Sequence, residues 1–143
     1  VWSRGVETKL QLHINKINVE GNYAFTKSTN ELATDNLDNT VGKQLRYVPL
    51  HKGNIIFILT EGDMKIRINQ SYTGEVITTY STEQDKHLEA FILTDISVKT
   101  KTKIRALTIE GKVKNLMNKS YQTYLNYPNP GRELLLTLKY SIN

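Results

Sequence analysis

Alternation of apolar and polar residues with a period of two recurs along most of this chain, and it restricts the fold to strands with two unlike faces. Over residues 6–14 the even positions are Val6, Thr8, Leu10, Leu12 and Ile14, set against Glu7, Lys9, Gln11 and His13. Over 17–26, Ile17, Val19, Gly21, Tyr23 and Phe25 oppose Asn18, Glu20, Asn22, Ala24 and Thr26. Over 64–73, Met64, Ile66, Ile68 and Tyr72 oppose Lys65, Arg67, Asn69, Ser71 and Thr73. Over 88–98, Leu88, Ala90, Ile92, Ile96 and Val98 face away from Glu89 and Asp95, with Lys99 next on the polar side. Leu107, Ile109 and Val113 oppose Thr108, Glu110, Lys112 and Lys114, and Leu134, Leu136, Leu138, Tyr140 and Ile142 oppose Glu133, Thr137, Lys139 and Ser141. Residues 51–60 are less regular, because 55–59 are apolar throughout, but β-branched content and the flanking Gly53 and Gly62 read as a strand. The expectation is about seven strands and no helix.

The links between them alternate in length. Asn15-Lys16, Glu61-Gly62-Asp63 and roughly 100–103 are short, whereas 30–50, 76–86 and 118–132 are long. In an antiparallel meander alternate links fall at opposite ends of the sheet. All short turns therefore share one end and all long loops the other, the layout of an outer-membrane barrel with short periplasmic turns and long outer loops. The last strand then runs from a long loop toward the periplasm. Tyr23, Phe25 and Tyr72, at the long-loop ends, and Tyr140, at the short-turn end, stand on the apolar parity where interfacial girdles would lie. The plainer alternative is that aromatic residues simply favour strands.

Composition agrees with such a wall. No run of about eighteen apolar residues exists, so no transmembrane helix is expected, while a barrel strand needs only about 9–11 residues with every second one apolar. A mean hydropathy of −0.44 fits polar loops and a polar lumen. The 143 residues include no cysteine, which excludes disulfides and thiolate metal sites, and the net charge of +5 permits contact with anionic lipid or nucleic acid. The opening VWSRGVETK lacks the apolar core of a signal peptide, so the chain is expected to have lost one or to begin within something longer. Parity cannot say which face looks inward. A soluble up-and-down β-barrel holding a small apolar ligand would show the same alternation with its apolar side inside. The asymmetry of the links and the Glu, Lys, Arg and Asn of the polar face favour the membrane wall.

Near the end of the chain, Asn115-Leu116-Met117-Asn118-Lys119 with Tyr121, then Tyr127-Pro128-Asn129-Pro130-Gly131-Arg132, precede the alternating final strand. This resembles the close of TonB-dependent receptors, whose penultimate strand ends on an "NLF(N/D)K.Y" pattern followed by a "PGR" loop, here with Met117 in place of Phe. The Tyr-Pro-x-Pro-Gly-Arg version looks most like receptors of the Bacteroidota. Arg4-Gly5-Val6-Glu7 resembles the opening of a late barrel strand, and Val48-Pro49-Leu50-His51-Lys52 the entry to the strand after a long outer loop. The pattern departs at the end, where Ile142 and Asn143 follow Tyr140 instead of a final aromatic.

The resemblance implies the C-terminal segment of a receptor β-barrel over residues 1–143, in the outer membrane of a Gram-negative bacterium. The implied function is import of a scarce nutrient such as an iron chelate or cobalamin. It further implies partners: the rest of a barrel of about twenty-two strands, a plug, on this or another chain, the TonB complex acting through that plug, and outer-membrane lipid. Neither a cofactor nor nucleic acid is implied.

Within this frame Asn115, Leu116, Asn118, Tyr121, Pro130, Gly131 and Arg132 read as architecture: prolines and glycine shape a turn, and asparagine side chains can cap a strand end. Lys65, Arg67 and Asn69 on the polar face, and Arg46 and Tyr47 in the largest loop, are the substrate-contact candidates, the plainer reading being that they solvate the wall. His13, His51 and His87 show no metal-ligand spacing, and no nucleophile stands beside a base, so the chain is not expected to be an enzyme. The basic run from Lys99 to Arg105 reads as a solvated periplasmic turn and holds no aromatic for stacking on bases.

Overall fold

The computed structural model describes residues 1–35, 38–81, 84–104 and 107–141. Its strands are β1 (Trp2–Ile14), β2 (Ile17–Thr29), β3 (His51–Glu61), β4 (Met64–Thr73), β5 (Val76–Thr79), β6 (Lys86–Leu88), β7 (Phe91–Lys101), β8 (Leu107–Lys114), β9 (Gln122–Tyr124), β10 (Tyr127–Pro128) and β11 (Glu133–Tyr140). Seven of these form one sheet in the order β1-β2-β3-β4-β7-β8-β11. Every neighbouring pair is antiparallel. The chain is all-β and up-and-down, with seven strands of a barrel wall. The four short strands form two separate hairpins, β5–β6 and β9–β10, inside the long links.

The alternation in link length becomes a difference between the two ends. At one end the turns are tight, with Asn15 and Gly62 both at positive φ, 53° and 55°. There Lys16 Nζ lies 2.6 Å from a Glu61 carboxylate oxygen, joining the first turn to the second. The Lys101 N–H donates to the Asp63 carbonyl at 3.2 Å, joining the second to the third. At the other end the long links pack on one another. The Tyr47 N–H donates to the Ile77 carbonyl at 2.9 Å, and the rings of Tyr47 and Tyr124 stack at 4.4 Å.

Register turns the alternation into two surfaces. One row across the sheet reads Leu12, Val19, Phe57, Ile68, Ile96, Val113, Leu134. The next row toward the tight turns reads Ile14, Ile17, Leu59, Ile66, Val98, Gly111, Leu136. On the opposite face one row reads Gln11, Glu20, Ile56, Asn69, Asp95. The unbroken apolar run in β3 now has a meaning: Ile55, Phe57 and Leu59 belong to the apolar face, whereas Ile56 and Ile58 intrude on the polar one. In β3, at the middle of the sheet, exposure differs between the faces: Phe57 is 46% exposed and its neighbour Ile58 only 4%. There the polar face is the more sheltered one and the apolar face the more open one. A soluble barrel of the lipocalin kind needs the reverse. Nothing in the described chain covers the apolar face, and burying it in hydrocarbon would stabilise it by about 25 cal/mol per Å² of apolar area.

Several expected boundaries move. β1 starts at Trp2 and β2 ends at Thr29, beyond the expected 6 and 26, because Arg4 and Lys27 occupy apolar-face positions and hide the period. The expected strand over 88–98 is two elements: Leu88 pairs with Val76 in the loop hairpin, and the wall strand is Phe91–Lys101. Leu88 and Ala90 keep the parity of Ile92 by coincidence across the break. The third short link spans residues 102–106, later than the expected 100–103. Ile142, Asn143 and Arg105 lie outside the described residues.

Candidate functional site

The polar face and the long-loop end each gather chemistry. On the polar face β3, β4, β7 and β8 line a cavity of about 340 Å³ that includes Asn54, Arg67, Asn69, Asp95, Glu110 and Lys112. The strands bring these residues together because each is the polar-parity residue of its row. Asn54 Nδ2 donates to Asn69 Oδ1 at 3.1 Å, and Lys112 Nζ lies 3.7 Å from an Asp95 carboxylate oxygen. Asp95 also accepts the backbone N–H of Asn115 at 3.0 Å. Arg67 makes no ion pair among the described residues. Lys65 is on the same parity but not in this cavity. It sits opposite Lys99 and Thr60, nearer the tight turns.

At the long-loop end the first long link folds back on β2. Gln44 fastens it: its Oε1 accepts from the Ser28 N–H at 2.9 Å, and its Nε2 donates to the carbonyls of Thr26 and Val48 at 3.2 and 3.1 Å. The Tyr80 hydroxyl donates to the Gln44 carbonyl. Two cations flank that ring, Lys43 at 5.3 Å and Arg46 at 5.8 Å from its centroid, and Lys43 also pairs with Asp85 at 3.0 Å. Burial raises the Tyr80 hydroxyl above its usual range, with Arg46 and Lys43 opposing. The Ser81 backbone N–H and the Lys43 ammonium hold the Asp85 carboxyl below its usual range. Tyr47, at positive φ of 60°, stacks on Tyr124, which in turn meets Tyr127 edge-on at 6.4 Å. Arg46 and Tyr47 therefore stand in one aromatic and cationic cluster drawn from three links, with Tyr80, Asp85 and Tyr124, which the sequence did not single out. Those three lie in hairpins of two to four residues per strand, too short to show a period. Earlier in the same link, Asp38 accepts from the hydroxyl and backbone N–H groups of Thr40 and Thr34 at 2.6–2.9 Å. The Thr40 hydroxyl leads in holding that carboxyl well below the carboxylate range.

The motif residues form a knot where β8 ends. Asn115, 4% exposed and at φ 46°, donates through Nδ2 to the Lys119 carbonyl at 2.8 Å and accepts the Lys119 N–H at 2.9 Å. The Leu116 N–H donates to the Thr94 carbonyl on β7 at 2.7 Å. Asn118 Oδ1 accepts from the Arg132 N–H at 2.9 Å, so Asn118 carries the chain across to β11. A Cβ on Gly131 would stand 2.6 Å from that same Oδ1. Tyr121 packs on Phe91 at 4.7 Å between ring centroids. Pro130 immediately precedes Gly131, outside any strand. Among the described residues no group of three His, Asp or Glu side chains could hold a metal ion.

No protein-family model matches the chain, and no curated protein matches it. Solved structures do. The chain is similar to the ferric-catecholate import receptor Fiu from K12 E. coli, at 20% identity and a TM-score of 0.77, over 96% of this chain and 20% of that one. It is similar to the siderophore receptor PiuA from Acinetobacter baumannii, at 16% identity and 0.78, over 96% and 21%. It is also similar to the ferripyoverdine receptor of the outer membrane of Pseudomonas aeruginosa, at 14% identity and 0.74, over 96% and 19%. The chain thus spans about a fifth of the length of these receptors. At this level of identity the likeness concerns the fold: seven antiparallel strands with one apolar and one polar face, shared with part of the transmembrane β-barrel of outer-membrane iron-chelate receptors.

Proposed function

We propose that this chain is a section of wall and outer loops of a TonB-dependent outer-membrane receptor that imports a ferric chelate. The observation that carries the reading is the two-sided sheet, whose one face exposes large apolar side chains and whose other face lines a polar cavity with Arg67, Asn69, Asp95 and Lys112. An iron chelate is favoured over cobalamin because the structural neighbours are receptors for ferric catecholate, siderophores and ferripyoverdine. Among the described residues β1 pairs only with β2, and β11 only with β8. Unpaired edges in hydrocarbon are costly, so further strands of the same or another chain would close the barrel. A plug would fill its lumen and couple to the TonB complex. Within this chain Arg67 would attract the anionic chelate, while Asn54 and Asn69 supply neutral hydrogen-bonding groups beside it. Arg46 and Tyr47 would stand at the outer rim.

The test is uptake of radioactive iron by source cells supplied with catecholate, hydroxamate or citrate chelates. Disrupting the gene should abolish uptake of at least one chelate, and Arg67→Glu should depress it with protein level in the outer membrane unchanged. Undiminished uptake of every chelate after disruption would overturn the reading.

A further inference from the structure

The apolar face carries a polar exception at one end. Arg4 and Lys27 are directly opposite each other across β1 and β2, and both have the parity of Val6, Leu10, Val19 and Phe25. They share that face with Trp2, 52% exposed, whose ring lies 4.7 Å below the Arg4 guanidinium. One row nearer the middle come Val6, Phe25 and His51. His51 is exposed, leans on Phe25 at 5.4 Å and hydrogen-bonds to the Tyr23 hydroxyl at 2.7 Å. Neither Arg4 nor Lys27 has an ion pair among the described residues. The carboxylate closest in sequence to Lys27 on the loop side, Glu31, is engaged by the Thr29 hydroxyl. Like charges directly opposite on paired strands repel. Here they persist with no carboxylate paired to either.

Their height on the wall says what could lie between them. From Ile14 at the tight turn to Arg4 is about 33 Å along the strand, at about 3.3 Å per residue. A barrel tilt of 35–45° reduces that to about 25 Å across the membrane, the height of the apolar band of such barrels. Arg4 and Lys27 then fall at the outer rim of the hydrocarbon, at headgroup depth, with Trp2 as an interfacial aromatic. We infer that Arg4 and Lys27, with Trp2 beside them, form an external binding site for the phosphate of an outer-leaflet lipid headgroup. The apolar rows beneath, Leu10 and Leu12 with Val19 and Phe57, would take its acyl chains. The inference rests on the outer-membrane reading above.

The experiment uses the whole receptor extracted from the outer membrane in mild detergent and titrated with lipid A carrying two phosphates, followed by native mass spectrometry. Arg4→Gln with Lys27→Gln should weaken retention by roughly 25-fold, about fivefold per cation lost. Arg4→Lys with Lys27→Arg should keep most of it and guards against a folding defect, as does Lys9→Gln on the opposite face. Dephosphorylated lipid should bind the native protein no better than the double glutamine variant binds lipid A. Equal retention by native and double glutamine proteins, equal binding of dephosphorylated lipid, or full competition by millimolar inorganic phosphate would each overturn the site. If the protein fractionates outside the membrane altogether, the outer-membrane reading fails. If it is in the outer membrane and imports iron but retains lipid unchanged, only this inference fails.

Discussion

Asn115 shows how one side chain ends a strand. Its left-handed φ turns the chain after Lys114, and its amide satisfies both the N–H and the carbonyl of Lys119. Asparagine tolerates that conformation and alanine does so poorly. Asn115→Ala should therefore cost about 2 kcal/mol, from strain and from two backbone groups left without their partner. Urea unfolding of the receptor in lipid vesicles would measure it, with Asn126→Ala, exposed in a hairpin turn, as the lesser comparison. Asp38 is a second such node, in a loop. Its carboxyl titrates below the ordinary carboxylate range because the ionised form accepts four hydrogen bonds from Thr34 and Thr40. A depressed folded-state value means the stabilisation is present above the unfolded value near 3.8 and is lost as pH falls below it. Exchange of the Thr34 and Thr40 amides should be slow from neutrality to about pH 4 and accelerate at lower pH. In Asp38→Asn it should already be fast at neutrality, with little added dependence on acid beyond that of exchange itself.

The long links are built elements, and the fit between them is specific. Tyr47 from the first meets Tyr124 from the third face to face, with ring planes 9° apart. An aromatic pair of this kind contributes about 1 kcal/mol beyond its buried area. Tyr124→Ala should loosen the β9–β10 hairpin from the first link and speed proteolysis within 118–132, while Tyr124→Phe should leave the rate unchanged. Limited proteolysis of intact cells would read the difference. This level was the least legible in the sequence. Wall strands announce themselves because a strand with two unlike faces must alternate, and β4 was bounded to the residue. The loop hairpins have no such obligation: β5, β6, β9 and β10 lie among loop segments, and their residues answer to neighbours that only the register reveals. The same limit applies to the polar cavity. The parity of Arg67 and Asn69 was evident, but that Asp95 and Lys112 stand beside them, and that Lys65 lies outside the cavity, depends on how four strands are aligned.

Across the whole wall, the arrangement of faces determines what surrounds the chain. An isolated period-two pattern is symmetric between a membrane wall and a soluble barrel, which is why the sequence left both open. The folded sheet breaks the symmetry by sheltering Ile58 and leaving Phe57 open. Ile68, in the fourth of the seven strands and 38% exposed on that open face, is the position where the two environments differ most. In lipid a lysine there would stand at mid-depth and cost about 2–4 kcal/mol, against about 0–1 near the interface. Ile68→Lys should thus impair membrane assembly strongly, whereas Arg67→Gln, one residue away on the other face, should leave assembly intact and lower chelate uptake. Stability alone cannot distinguish a lipid-facing site from a soluble core, since both reject a lysine. Spin labels can. This segment has no cysteine, so single cysteines replacing Ile68 or Arg67 mark the two faces separately. A label at 68 should collide readily with oxygen and hardly with a water-soluble nickel chelate. A label at 67 should show the opposite, and any reversal would turn the wall inside out.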